Sequence, residues 1–216
     1  MKRSLFAVLC TLAFLLPLAS ESTSWPGLSR FKLENGLEVY VYKDSSLPMA
    51  RVEFSVRAGA MAQVPETAGF FHLYEHLAFG GDASQGGSAA VKAELASLGA
   101  GEWNGGTSAE RVDWWLSLPA SKVEGGIDFW ARHLRPAQIL PGDLSRARDS
   151  VLAETRALAA NPDSIYEGAM TKRLFGKYPW RRDPAGSEAS LALASPEALA
   201  KIRDTWFIPN NAALFV

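Results

Sequence analysis

The alternation of apolar and polar positions divides this chain into short strands and amphipathic helices. Phe31 to Tyr42 holds two apolar runs around Asn35-Gly36, a two-residue hairpin signal. After Pro48, Val52, Phe54 and Val56 alternate with Arg51, Glu53, Ser55 and Arg57, the period of a half-buried strand. Phe70, Phe71, Leu73, Leu77 and Phe79 then describe a largely apolar helix. A glycine-rich stretch from Gly80 to Ser88 follows it, and Ala89 to Leu98 reads as a second helix stopped by Gly99. Gly101 to Thr107 carries too much glycine for a central strand, whereas Arg111 to Leu118 alternates with Val112, Trp114, Leu116 and Leu118 on one face.

The second half is predominantly helical. From Ser121 to Leu134, Val123, Ile127, Trp130 and Leu134 recur at helical spacing, and Pro136 and Pro141 end that element. Asp143 is placed to cap a helix running to about Ala160, where Asn161-Pro162 stops it. Further helices are expected over Ser164 to Phe175 and from Ser195-Pro196 to Trp206, with Ala212 to Val216 as a last strand. This mixed order of strands and helices predicts an α+β fold. The final strand runs to residue 216 with no turn after it, so the domain over 23–216 is expected to be incomplete at its C-terminal end.

Composition bounds the function. With 216 residues, 48% of them hydrophobic, the chain can bury a substantial core. A formal net charge of −1, with no Lys/Arg cluster standing out along the sequence, argues against nucleic-acid binding. Gly99, Gly101 and Gly105 have the wrong spacing for a dinucleotide fingerprint. Lys2 and Arg3 precede an apolar run from Leu5 to Leu18 and the small residues Ala19, Ser20 and Ser22, the pattern of a signal peptide over residues 1–22. That run is short for a permanent membrane span, so export to a periplasm or the extracellular space is expected. The sole cysteine, Cys10, lies inside it and would leave with the leader; a lipid-anchored Cys10 is the alternative, disfavoured by the bulky Leu9 before it.

The chemistry concentrates at His72-Leu73-Tyr74-Glu75-His76. On a helix, positions i, i+3 and i+4 share a face, so two imidazoles and a carboxylate converge. Two neutral histidines can hold Zn²⁺ while the glutamate reaches a water on the ion, in the inverted H-x-x-E-H order. Ordinary polar residues on an amphipathic helix are the bland alternative, which the apolar flanks make costly. A catalytic zinc site ordinarily takes a third protein ligand, for which Glu94, Glu102, Glu110, Asp149 and Glu154 are candidates. Glu154 fits best on a rigid second helix, among Ala and Leu neighbours.

From about Phe31 to Val216 the sequence resembles the inverzincin metallopeptidases that include pitrilysin, insulin-degrading enzyme and the mitochondrial processing peptidases. The resemblance rests on L-E-N-G-L at 33–37, R-A-G-A at 57–60, G-F-F-H-L-Y-E-H-L-A-F-G-G at 69–81, N-G-G-T-S at 104–108, V-L-A-E at 151–154, N-P-D-S at 161–164 and W-F-I-P-N-N-A at 206–212. It implies an antiparallel-rich sheet packed against helices, Zn²⁺ on His72, His76 and Glu154, and Glu75 as catalytic base. It also implies substrate binding along the edge at Asn104, Gly105 and Thr107. The reaction implied is endopeptidase cleavage of peptides or unfolded polypeptide, inside a chamber closed by a second homologous domain or subunit.

Two departures stand out. Ala147, two turns before Glu154, occupies a position where several relatives carry another glutamate, and Phe71 replaces a usually small residue and is expected to narrow the site. Two other readings compete: a non-catalytic peptide-binding or assembly subunit, and a structural zinc domain, which would need a fourth protein ligand such as His133.

Overall fold

Among the described residues, six strands pair into one mixed sheet: β1 (Leu28–Lys32), β2 (Glu38–Tyr42), β3 (Met49–Val56), β4 (Glu102–Thr107), β5 (Val112–Pro119) and β6 (Ala212–Phe215), in the order β1-β2-β6-β3-β5-β4. The computed structural model describes residues 25–80, 86–136 and 138–216, so the expected leader lies outside the described residues. β3 and β5 form the longest ladder, antiparallel from Met49 opposite Pro119 to Val56 opposite Val112. The period-2 pattern fixes its faces: Val112, Trp114, Leu116 and Leu118 are buried, while Asp113, Trp115 and Ser117 turn to the other side. β6 enters between β2, which it parallels, and β3, which it opposes, so the sheet is antiparallel-rich but mixed.

The expected two-residue hairpin turn is longer. Gly36 N–H donates to Leu33 O (2.9 Å) and Leu33 N–H to Leu37 O (2.9 Å), which encloses Glu34, Asn35 and Gly36 as a three-residue loop. Gly36 takes φ +91°, the left-handed position that such a loop needs at its last residue. β1 is exposed along its whole length, a short edge strand.

Among the described residues there are seven α-helices: α1 (Phe70–Gly80), α2 (Gly87–Ser97), α3 (Val123–His133), α4 (Pro141–Ala159), α5 (Pro162–Phe175), a single turn α6 (Glu188–Leu191) that the sequence pattern does not predict, and α7 (Pro196–Trp206). Ser195 caps α7 as expected, its hydroxyl accepting from Ala198 N–H at 3.2 Å. Asp143 does not cap α4. Pro141, whose φ suits the first helical turn, starts the helix earlier, and Asp143 sits in that turn paired with Arg146.

α1 is the centre of the architecture. One side lies on β4 and β5, and α2, α4 and α7 pack around the rest. Phe70, Phe71, Leu73, Tyr74, Glu75, Leu77 and Ala78 are all buried, the mark of a helix enclosed nearly all round. Two side-chain donors pin it: Trp114 Nε1 to Glu75 O (3.2 Å) and, from the helix itself, Tyr74 Oη to Leu134 O (2.8 Å). Phe71 does not narrow the histidine face; its ring meets Trp206 edge-on at 5.9 Å and Phe207 at 6.2 Å, inside the α1–α7 interface. No described helix is long and apolar enough to cross a membrane.

Candidate metal centre

α1 carries two histidines one turn apart on the face that meets α4, and they remain half-buried while their neighbours are fully buried. Their Nε2 atoms lie 3.2 Å apart. Glu154, on the third quarter of α4, reaches both: its Oε2 is 3.3 Å from His72 Nε2 and 3.4 Å from His76 Nε2. Three donors about 2.0–2.1 Å from one tetrahedral ion stand about 3.3–3.4 Å apart, so this triangle has the size that a single Zn²⁺ requires. Of the carboxylates weighed from the sequence, Glu154 is the one within ion-pair distance of both rings. Glu94 is engaged elsewhere, by Arg132 and by His133 Nε2 at 3.1 Å, which also places His133 outside the cluster. Glu110 accepts from Trp180 Nε1 at 2.9 Å.

Electrostatics suit the imidazoles to metal binding. Burial, assisted by the neighbouring His76, lowers the His72 pKa to about 4, against the opposing pull of Glu154 and Asp183. A neutral ring with an available Nε2 lone pair is what a metal needs at neutral pH. One feature fits less well. His72 Nδ1 is buried without a hydrogen-bond partner, where ligand histidines ordinarily donate to a carboxylate or carbonyl. The buried Ala147, on the same face of α4 as Val151 and Glu154, supplies no acceptor to that interface.

Glu75 occupies a different environment on the same helix. It is 6% exposed, and burial pushes its pKa up to about 7, although a hydrogen bond from Thr107 Oγ1 to its Oε2 (2.7 Å) opposes the rise. The ligand atoms of His72, Glu75 and His76 all fall within 4.8 Å of one another, so Glu75 is close enough to act on anything held by the histidines. β4 determines this closeness. A Cβ on Gly105 would lie 2.8 Å from Glu75 Oε1 and 2.9 Å from Phe79, so only glycine lets the strand approach the carboxylate. Along β4, Trp103, Gly105 and Thr107 turn inward, with Trp103 5.2 Å from Phe79, while Asn104 and Gly106 turn outward. The outer edge of β4 pairs with no other strand among the described residues.

Thus the structure brings His72, His76, Glu154, Glu75 and Thr107 together, and sets Gly105 against Glu75 rather than in the open. Asn104 stands apart on the strand's outward face, its Oδ1 accepting from Gly105 N–H at 2.9 Å. The hydroxyl support from Thr107 to Glu75 escaped the sequence, because it spans separate elements and leaves no local pattern.

Residues 39–186 match the family model described as Insulinase (Peptidase family M16). The chain belongs to that family. It is 27% identical over 88% of its length to the probable zinc protease PqqL of Haemophilus influenzae, of which it covers 21%. By structure it superposes with a TM-score of 0.80 on the periplasmic protease PqqL from Escherichia coli, at 20% identity over 88% of this chain and 22% of that one. It likewise resembles a peptidase M16 inactive domain from Pseudomonas fluorescens (TM-score 0.77, 18% identity, 87% of this chain and 45% of that one). The α+β fold of this chain, a mixed sheet with its helices, matches the fold of these neighbours. The chain spans about a fifth of the length of the two PqqL proteins.

Proposed function

We propose that this chain carries the metal-binding part of a zinc endopeptidase that cleaves peptides or unfolded polypeptide segments. The observation that carries this reading is the triangle of His72, His76 and Glu154, closed to zinc dimensions, with the buried Glu75 beside it. His72, His76 and Glu154 would hold the ion and leave a fourth position open to solvent. When bound, zinc supplies Lewis acidity, activating water near neutral pH and polarising the peptide carbonyl.

The chain's own residues do the rest. Glu75, with a proton affinity near neutrality, takes the proton from the attacking water and returns it to the leaving amine. Thr107 orients that carboxylate through its 2.7 Å hydrogen bond. The unpaired edge of β4 receives the substrate as an added strand, its backbone groups giving affinity that does not depend on sequence, with Asn104 on the outward face. Such an edge takes a segment in extended conformation, which suits peptides and unfolded polypeptide.

A second homologous domain or subunit would close the site. α5 supports this, because it buries none of its residues and leaves Ile165, Tyr166 and Leu174 57%, 65% and 70% exposed. Residues 1–22 support export, as does the periplasmic relative, and the periplasm or extracellular space is the proposed location. One observation favours a second reading, a non-catalytic peptide-binding or assembly subunit: the His72 Nδ1 without an acceptor. Metal analysis together with cleavage of an unstructured peptide decides between them. The catalytic reading expects zinc in both wild type and Glu75→Gln and cleavage in the wild type alone; zinc-loaded protein with equal cleavage in both would overturn it.

A further inference from the structure

A second recess lies beside the metal centre, between the loop that leads into α1 and the segment joining α5 to α6. It is a cleft of about 480 Å³ lined by Lys172, Lys177, Arg181 and Arg182, with one carboxylate, Asp183, and the buried Gln63. We propose that this cleft is a specificity subsite for an acidic side chain of the peptide substrate, an inference that rests on the peptidase reading above.

The charges in the cleft have no internal answer. Among the described residues, Lys172 and Lys177 make no side-chain hydrogen bond or ion pair, and neither arginine meets a carboxylate. Arg181 instead donates to Gly176 O at 2.9 Å, and Arg182 donates to Met61 O and Gln63 O. Those bonds hold the guanidinium groups in place by backbone contacts and leave their charge uncompensated. Asp183, whose Oδ1 accepts from Ala185 N–H at 2.9 Å, offsets one of these charges and leaves the cations in excess. Four cations facing one carboxylate produce a positive field that an incoming anion relieves.

The cleft also holds an unused donor. Gln63 is 1% exposed; its Oε1 accepts from Gly69 N–H, while its Nε2 has no partner. An amide donor buried without a partner is costly, and a ligand oxygen is one way to satisfy it. A carboxylate suits this combination of cations and an amide donor.

One connection ties the cleft to the helix that carries the metal centre. The Gln63 bond anchors Gly69, the residue before α1 and three before His72. An extended peptide advances about 3.3 Å per residue, so a side chain a few positions from the scissile bond can enter the cleft while the backbone stays on β4.

The test is fluorescence anisotropy of short unstructured peptides on zinc-loaded Glu75→Gln protein, which binds without cleaving. The peptides are identical except for a central Glu-Glu, Gln-Gln or Lys-Lys pair. The proposal expects the Glu peptide to bind about tenfold tighter than the Gln peptide, and less so as salt rises. Adding Lys172→Glu with Lys177→Glu should abolish that preference and leave the Gln peptide unchanged; Lys172→Gln with Lys177→Gln should weaken it without reversal. Equal binding of all three peptides, a preference that survives the charge reversal, or competition by inorganic phosphate with no Glu preference would overturn the subsite. If zinc and the Gln peptide still bind in any of those cases, the peptidase reading stands alone. Protein that holds no zinc and binds none of the peptides would remove both.

Discussion

Glu75 on α1 and Glu154 on α4 are the same chemical group beside the same pair of histidines, and the fold gives them opposite surroundings. Glu75 is 6% exposed between its helix and β4, with Thr107 as its partner, whereas 48% of the Glu154 side chain is open. Burial raises the proton affinity of the first to a pKa of about 7. The second stands at the rim, held by two imidazoles. On the proposed reading, the difference separates a proton carrier from a metal ligand, two roles set by environment rather than by residue type.

The largest expected effect comes from removing what both carboxylates serve. His72→Ala or His76→Ala should weaken zinc binding by roughly three orders of magnitude or more, read by competition with a chelator, and reduce cleavage to background. Zinc affinity within about tenfold of wild type would show that the rings do not form the site.

Glu75→Gln comes next and breaks the comparison on one side. Cleavage should fall about a thousandfold while zinc is retained. The same change should stabilise the metal-free protein at alkaline pH. The folded pKa of Glu75 is raised, so its ionisation opposes folding above its unfolded value, and the penalty grows as pH rises through about 7. Wild type should therefore lose on the order of 3 kcal/mol of stability between pH 4 and pH 8 that the Gln variant keeps, measured by urea denaturation. Parallel stability curves would show that Glu75 is not buried as described.

On the other side, Glu154→Gln should weaken zinc by about a hundredfold and leave the pH-dependent stability contributed by Glu75 nearly intact. Unchanged zinc affinity would remove Glu154 from the ligand set. The smallest effect belongs to Thr107→Val. Its hydroxyl holds the Glu75 pKa down, so its loss should raise that pKa, move the acid limb of the pH–rate profile upward and cost about tenfold or less below neutrality. A profile that does not move would leave Thr107 without a part in positioning Glu75.

Much of the fold was legible because it is local. The strict alternation from Val112 to Leu118 survives as a ladder face buried at each of those positions, and Ser195-Pro196 starts α7 through a hydroxyl cap. The glycine-rich β4 lies at an edge, as its poor strand composition requires. Features set by distant partners were not legible. Nothing in Ala212–Phe215 signals its insertion between β2 and β3. Asn35-Gly36 signals a turn but not its three-residue length, and Asp143 yields the start of α4 to Pro141. At the site, His72, Glu75 and His76 are legible from helical spacing alone. Glu154 needed either the family resemblance or the packing of α4 on α1, and the bond from Thr107 to Glu75 needed the sheet.

X-ray absorption at the zinc edge, on wild type and Glu154→Gln, addresses the metal centre most directly. One zinc per chain should show two imidazole nitrogens and one carboxylate oxygen about 2.0–2.2 Å away in the wild type, with the imidazole signature kept and the carboxylate contribution lost in the variant. An identical first shell in the two proteins, or a shell containing a third imidazole, would contradict a centre built from His72, His76 and Glu154.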